Sequence, residues 1–140
     1  MHEKACHGRF ERQGLDVLQN RAGWVTASAG VCALCAEGKD VGFVSPHALT
    51  TIYYIVRKHG GKALADKAID WMLSVFKVAR CGEAEFRAAR NGDIDDFEDA
   101  VVAASAQAEK CEAIITRNTA HFAASPVPPA APSTWIEGWT

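Results

Sequence analysis

Acidic residues cluster at the start of an alanine-rich stretch, DIDDFEDAVVAASAQAEK, which spans residues 93–110. Asp95 is the predicted N-cap, with Glu98 in the capping-box position, so a helix is expected to begin near Asp96. Asp96 and Asp99 are three residues apart, which places both carboxylates on the same side of the first helical turn. Two carboxylates held that close repel each other, and a divalent cation relieves the repulsion. The alternative is that these acids only complement the positive end of the helix dipole, and composition alone slightly favours this alternative.

A polar tripeptide follows the next predicted element. The apolar run from Ala113 to Thr116 is a predicted strand, and it ends in Thr116-Arg117-Asn118. Ligands of open parallel α/β folds bind outside the carboxyl ends of the strands, where the strand order switches. The strand is therefore expected to deliver its polar end to that crevice. The metal hypothesis requires the helix at Asp96 to present its acids to the same crevice.

Helices and strands alternate along the rest of the chain. The other predicted helices cover Trp24 to Cys35, Pro46 to Gly60, Lys62 to Phe76 and Glu83 to Arg90, with a last helical turn at 133–135. The other predicted strands are Val41 to Val44 and Lys77 to Arg80, and Val127 is placed on a sheet edge. Helical spacing predicts that Leu64, Ala68, Trp71, Met72 and Val75 face the core, as do Phe97, Ala100, Val101, Ala104 and Ala108. This alternation predicts a mostly parallel sheet covered by helices on both faces.

Length and composition restrict the class of protein. The chain has 140 residues, 49% of them hydrophobic, which suits one compact domain. The net charge of −2 gives no overall basic field for nucleic acid. No run approaches the ~20 apolar residues of a membrane span, and the polar start lacks the apolar core of a signal peptide, so we expect a cytoplasmic protein without membrane contact. The five cysteines are odd in number and scattered, which is typical of reduced thiols, and the five histidines show no metal-ligand spacing.

The first 14 residues are atypical. They read MHEKACHGRFERQG, with Phe10 as the only large apolar residue apart from the initial methionine. A buried parallel strand normally has a continuous run of Val, Ile or Leu, so this segment is predicted to be an irregular or disordered arm rather than a strand. The folded domain is expected to cover residues 15–140.

The order and spacing of five segments resemble the PIN domains of bacterial VapC-like toxins. The segments are LDVLQNR (15–21), SPHALTTIYYIVRK (45–58), DFEDAVVAASA (96–106), IITRN (114–118) and the turn that contains Phe122. The resemblance implies a three-layer α/β/α sandwich and an endoribonuclease that cleaves single-stranded RNA with Mg²⁺ or Mn²⁺. It also implies a homodimer and an antitoxin partner. Relative to this family, the first strand of the chain is atypical or missing.

The resemblance assigns site positions one at a time. The third acid of the family falls on Asp99, with Asp96 a turn before it, and the last position falls on Asn118, with Thr116 just ahead. The helix acid falls on Thr51, a neutral residue, and the first-strand aspartate falls on Phe10. One corner of the acidic site is therefore absent from its expected place. Asp16 and Glu11 are the candidates to replace it, although the register of Asp16 matches a later position of the family and only proximity supports Glu11.

Three functions are compatible with these residues. In the first, an endoribonuclease, Asp96 and Asp99 hold the cation with help from Asn118, Thr116 orients a water or phosphate, and Arg117 contacts the RNA backbone. The corresponding structural roles are loop capping for Thr116 and Asn118 and a surface charge for Arg117. The second function is a PIN-like module that binds an antitoxin or RNA without cleavage, which the absent aspartate favours. The third is a protein that binds a phosphorylated small molecule, and no glycine-rich phosphate loop supports it.

Overall fold

The structure is a computed structural model that describes residues 9–11 and 24–138, with side chains from residue 30 onward. Its centre is a parallel five-stranded sheet. The strands are β1 (Arg9–Glu11), β2 (Gly42–Val44), β3 (Phe76–Val78), β4 (Ala113–Ile115) and β5 (Pro129–Ala130). They lie in the order β3-β2-β1-β4-β5, and every neighbouring pair is parallel.

Helices connect the strands. They are α1 (Trp24–Ala36), α2 (Pro46–Gly60), α3 (Lys62–Val75), α4 (Glu83–Asn91), α5 (Phe97–Ala108) and α6 (Pro132–Glu137), with a 3₁₀ helix at Thr119–Phe122. The start of α2 is fixed as the sequence predicts, because the Ser45 hydroxyl accepts a hydrogen bond from the Ala48 N–H at 3.1 Å and Pro46 follows at the first helical position. Gly61, with a φ of 89°, separates α2 from α3.

The two faces of the sheet carry different helices. On β4, Ile114 packs with Val102 and Ala106 of α5, whereas Ala113 and Ile115 pack with α1 and α6 on the opposite face. A second cluster on that opposite face joins α1, α2 and α3 to β2 and β3. Alternate residues of a strand point to opposite faces, so β4 contributes to both cores, as does β2 through Phe43 and Val44. The expected α/β architecture with a parallel, doubly covered sheet is confirmed.

The first strand is present, so the prediction that residues 9–11 do not form a strand is wrong. Arg9–Glu11 is the central member of the sheet, and Phe10 is in register with Phe43 of β2 and Ile114 of β4. A parallel ladder is made by backbone groups, and β1 lies between two strands that supply those partners. The strand remains atypical in sequence, since it reads Arg-Phe-Glu. The rest of the predicted arm, residues 1–8 and 12–14, lies outside the described residues, and its boundary at residue 14 stays a prediction.

Two core assignments on α3 are wrong. Leu64 is 52% exposed and Trp71 is 47% exposed, whereas Ala65 and Met72 are buried. The inward face of the helix is therefore narrower than the predicted stripe, and Ala65, Ala68 and Met72 pack against α2 and the sheet. Val127, which the sequence places on a sheet edge, is buried and lies before the edge strand. That strand forms two residues later, at Pro129–Ala130.

Two further expectations concern cysteines and membranes. Cys32, Cys35, Cys81 and Cys111 form no disulfide. Within the described residues, none of the helices combines the length and the apolar character that a membrane crossing requires.

Candidate active site

The start of α5 is capped by Asp96, not by Asp95 as predicted. Asp96 has an extended backbone (φ −80°, ψ 123°), and its Oδ1 accepts a hydrogen bond from the Asp99 N–H at 2.9 Å. This extended conformation aims the carboxylate at the third amide of the helix, which is the geometry of an N-cap. The helix therefore begins at Phe97, and Asp95 lies before the cap.

Asp96 and Asp99 are bridged by this cap but lie in different environments. Asp96 is exposed, whereas Asp99 is 5% exposed. The prediction that both carboxylates hold one cation stays a prediction, and the two acids differ in burial. Burial of a carboxylate is costly unless partners compensate it, so the position of Asp99 marks it as the more specialised of the two acids.

Two histidines contact the acids of the first turn of α5, which we name the acid turn (Asp96, Glu98 and Asp99). The His121 Nδ1 lies 3.7 Å from the Asp99 Oδ2, and the His47 Nε2 lies 3.0 Å from the Glu98 Oε2. Glu98 therefore pairs across the structure and does not complete the predicted capping box. His121 follows β4 and His47 follows β2, so the acid turn lies at the carboxyl edge of the sheet.

The sequence gives no signal for either histidine. His47 and Glu98, like His121 and Asp99, are far apart in the chain, and only the fold brings each pair together. Spacing rules detect ligands that share one helix or loop, so they give no signal here. Thr51 reaches the same region through His47, since its Oγ1 lies 3.5 Å from the His47 Nε2.

The polar end of β4 has a local structural role. Thr116 is 3% exposed, and its Oγ1 accepts a hydrogen bond from the Asn118 N–H at 3.1 Å. The Thr116 N–H in turn donates to the Ala130 carbonyl of β5 at 2.9 Å. Asn118 is exposed and Arg117 is half-buried. Thr116 thus shapes the turn that leads to His121, and catalytic roles for Thr116, Arg117 and Asn118 stay predictions.

The donor atoms at this edge suit a hard divalent cation in type. Carboxylate oxygens such as those of Asp99 and Asp96 are preferred by Mg²⁺ and Mn²⁺, and Mg²⁺ often binds through one or two carboxylates together with waters and substrate phosphates. Among the described residues, however, no group of three or more His, Cys, Asp or Glu side chains could hold a metal ion. The side chains of Glu11 and Asp16, the two candidates for the absent corner, lie outside the described residues.

An apolar groove of about 460 Å³ adjoins the acid turn. It is lined by Ser45, Pro46, His47, Cys81, Phe86, Phe97, Glu98, Val101 and Val102. Phe97, which the helical stripe places in the core, is instead 49% exposed. The reason is that α5 is covered by the sheet on one side and by Ala89 of α4 on another, and these contacts use its small residues.

Solved structures with this fold include two bacterial proteins. One is a chain of VapBC2 from Rickettsia felis, in a structure that also contains a DNA fragment from the VapBC2 promoter. It is 18% identical, with a TM-score of 0.61, and the match covers 89% of this chain and 97% of that chain. The other is VapC20 from Mycobacterium tuberculosis, a Sarcin-Ricin loop cleaving toxin, with 17% identity, a TM-score of 0.58, and coverage of 84% of this chain and 94% of that chain. At these identities the two structures show a shared fold.

Sequence comparison identifies the family. No curated protein matches the chain. The profile of the PIN domain matches residues 14–120, which is well over half of the sequence. The match confirms the resemblance drawn from the five segments, and the chain belongs to the PIN-domain family.

Proposed function

We propose that the protein is an endoribonuclease of the toxin type that cleaves single-stranded RNA in the cytoplasm with Mg²⁺ or Mn²⁺. The observation that carries the proposal is the burial of Asp99 at the carboxyl edge of the sheet, 5% exposed and in the first turn of α5. Positions of this kind are where open α/β folds bind their ligands. A buried acid in such a crevice is a functional candidate, because burial of a carboxylate costs free energy and such groups cluster at functional sites.

The residues of the site would divide the work. Asp99, with Asp96 and the amide oxygen of Asn118, would hold the cation, which when bound would supply charge neutralisation at the scissile phosphate and activation of water. Thr116 would orient a water or a phosphate oxygen, and Arg117 and Thr51 would contact the RNA. His121 would keep the Asp99 carboxylate oriented toward the crevice.

Relatives of known chemistry support an RNA substrate and a protein partner. VapC20 is a Sarcin-Ricin loop cleaving toxin, and VapBC2 was crystallised with a DNA fragment from their promoter. By analogy, this chain would pair with an antitoxin.

A homodimer is also proposed. Leu64 and Trp71 of α3 are about half exposed, and their spacing of seven residues places them on the same face of the helix. An exposed apolar face favours association, and light scattering of the purified protein should show a particle of two chains.

The test is cleavage of a panel of single-stranded RNAs by the purified protein with Mn²⁺ or Mg²⁺. Parallel reactions would contain EDTA or the Asp99→Asn variant. Cleavage that disappears in both controls supports the proposal. Cleavage that survives EDTA or the Asp99→Asn substitution would come from a contaminant or another site and would contradict it.

A second candidate, a PIN module that binds RNA or an antitoxin without cleavage, has its own supporting observation. The position expected for the first acid is occupied by Phe10 in β1, and no described group of three ligands is assembled. Because Mg²⁺ takes few protein ligands, each lost carboxylate weakens its binding sharply. Folded protein that binds RNA but does not cleave it at high concentration would establish this candidate instead.

A further inference from the structure

We propose that the groove beside the acid turn binds one unpaired nucleobase of the RNA, stacked against Phe86 and Phe97. The proposal rests on the proposed function, which it deepens by naming a subsite for the nucleotide next to the scissile phosphate.

The two phenylalanines form an exposed aromatic pair. Phe86 in α4 is 46% exposed and Phe97 in α5 is 49% exposed, and their ring centroids are 6.2 Å apart at an interplanar angle of 33°. Tertiary packing fixes both backbones, since α4 and α5 are joined by a cluster of buried alanines. Rigid rings that remain about half in water provide a preformed stacking platform.

The groove is continuous with the candidate active site. Glu98 and His47 line the groove, their side chains lie 3.0 Å apart, and Glu98 belongs to the acid turn. Asp99 is the residue after Glu98 on the same helical turn. The groove and the buried carboxylate therefore belong to adjacent faces of the same helical turn.

The chemistry of the lining selects the occupant. Apart from Ser45, His47 and Glu98, the groove is lined by Cys81 and by apolar side chains, and the one carboxylate is matched by one imidazole at 3.0 Å. Such a surface suits a flat and uncharged group, not a phosphate. A ligand that occupies both the groove and the acid turn must carry a planar aromatic group a few bonds from a phosphate. A nucleotide has this structure. A volume of 460 Å³ also accommodates a base.

The experiment measures RNA affinity without cleavage. Fluorescence anisotropy would follow a 5′-labelled single-stranded RNA dodecamer binding to the full chain in EDTA. The variants are Phe86→Ala and Phe97→Ala, with Phe86→Tyr and Phe97→Tyr as variants that keep the ring. Tyr54→Ala is the matched control, because Tyr54 is an aromatic residue of α2 that is 67% exposed and absent from the groove lining. Thermal unfolding would verify that each variant is folded.

Each alanine variant is expected to bind on the order of tenfold more weakly, since stacking of one base on an aromatic ring contributes that much. The tyrosine variants and Tyr54→Ala should bind within about twofold of the original protein, the usual size of a surface change away from the ligand. RNA in which one nucleotide is abasic should lose the same affinity and show no further loss with Phe86→Ala.

Two results would overturn the subsite. One is a failure of the unsubstituted protein to bind RNA, and the other is an unchanged affinity in both alanine variants. If these variants instead lost self-association in light scattering, the groove would hold a protein side chain. RNA cleavage with unchanged affinity of the alanine variants would remove the subsite and leave the ribonuclease proposal standing. RNA binding that depends on the phenylalanines, without any cleavage, would support the base-binding groove and contradict the ribonuclease proposal.

Discussion

Two acids of this protein, Asp66 and Asp99, are each contacted by a side chain from another element. They differ in how deeply they are buried and in how close their partners lie. Asp66 of α3 is partly exposed and accepts hydrogen bonds from the Lys62 Nζ at 2.8 Å and the Tyr53 hydroxyl at 3.0 Å. Asp99 is 5% exposed, and His121 lies 3.7 Å from it. The Lys62 hydrogen bond, followed by that of Tyr53, holds the pKa of Asp66 below its ordinary value of 3.8.

The difference separates an acid that links two helices from a buried acid at the carboxyl edge of the sheet. Lys62 is one turn before Asp66 on the same helix, so the pair forms locally and satisfies the carboxylate at the surface. The contact of Asp99 with His121 is longer, and it depends on the fold. Surface pairs of the first kind contribute little to stability, whereas a buried acid at the carboxyl edge of a parallel sheet is a functional candidate.

The largest expected effect separates the two acids directly. Asp99→Asn should reduce metal-dependent RNA cleavage by at least about 100-fold, because even the outer partners of metal ligands contribute 10–100-fold. Asp66→Asn should leave the cleavage rate unchanged. The measurement is the initial rate of cleavage of one RNA by both variants, with thermal unfolding as the check on folding. Equal losses in the two variants would remove the distinction between the two regions.

The next effect is a gain at the position that the family gives to an acid. Phe10→Asp should raise metal-dependent cleavage by about tenfold or more. The estimate follows from the roughly 10–100-fold effect that residues around a metal site have on activity. Position 10 lies in the central strand, in register with Phe43 and Ile114, between the two strands whose ends lead to His47 and His121. Cleavage would be measured over a range of Mn²⁺ concentrations, because a restored ligand also lowers the metal concentration needed.

Phe10→Asn controls for the loss of the aromatic ring without adding a charge. A gain seen only with aspartate supports the metal interpretation. An equal gain with asparagine, or no gain in folded Phe10→Asp protein, would show that position 10 does not complete the site.

A third effect concerns stability and divides the acid turn itself. Asp96→Ala should lower the free energy of unfolding by about 1 kcal/mol, the usual cost of removing an N-cap, because the Asp99 N–H loses its acceptor. Asp95→Ala is the matched control and should change the free energy by less than about 0.5 kcal/mol, as is typical of a surface site. Urea unfolding followed by circular dichroism measures both. Equal effects of the two substitutions would contradict the assignment of the cap to Asp96.

The fold was largely predictable because alternating helical and apolar segments are local signals, and the Ser45-Pro46 helix start is an example. Phe97 and Trp71 were misplaced because helical spacing identifies an apolar stripe but not the neighbour that covers it. Strand β1 gives no clear sequence signal, because two of its three residues are charged and its backbone partners are distant in sequence. The acids of the site were visible as a local cluster. Their histidine partners were not, since each contact joins separate parts of the chain.

The smallest expected effect is the pH dependence of the stability that Asp66 contributes. A carboxyl group whose pKa is lowered by folding stabilises the protein above its ordinary pKa, and this contribution disappears as the pH falls through the lower folded value. For Asp66 the loss therefore occurs below pH 3.8. Asp66 in turn raises the pKa of Lys62 above 10.5, so the matching loss on the alkaline side begins only above that value. Between these limits the difference in melting temperature between the original protein and Asp66→Asn should stay constant, and below pH 3.8 it should narrow. If the difference in melting temperature instead changes near neutral pH, another titratable group causes it. His47 and His121, which contact the acid turn, would then be the first residues to substitute.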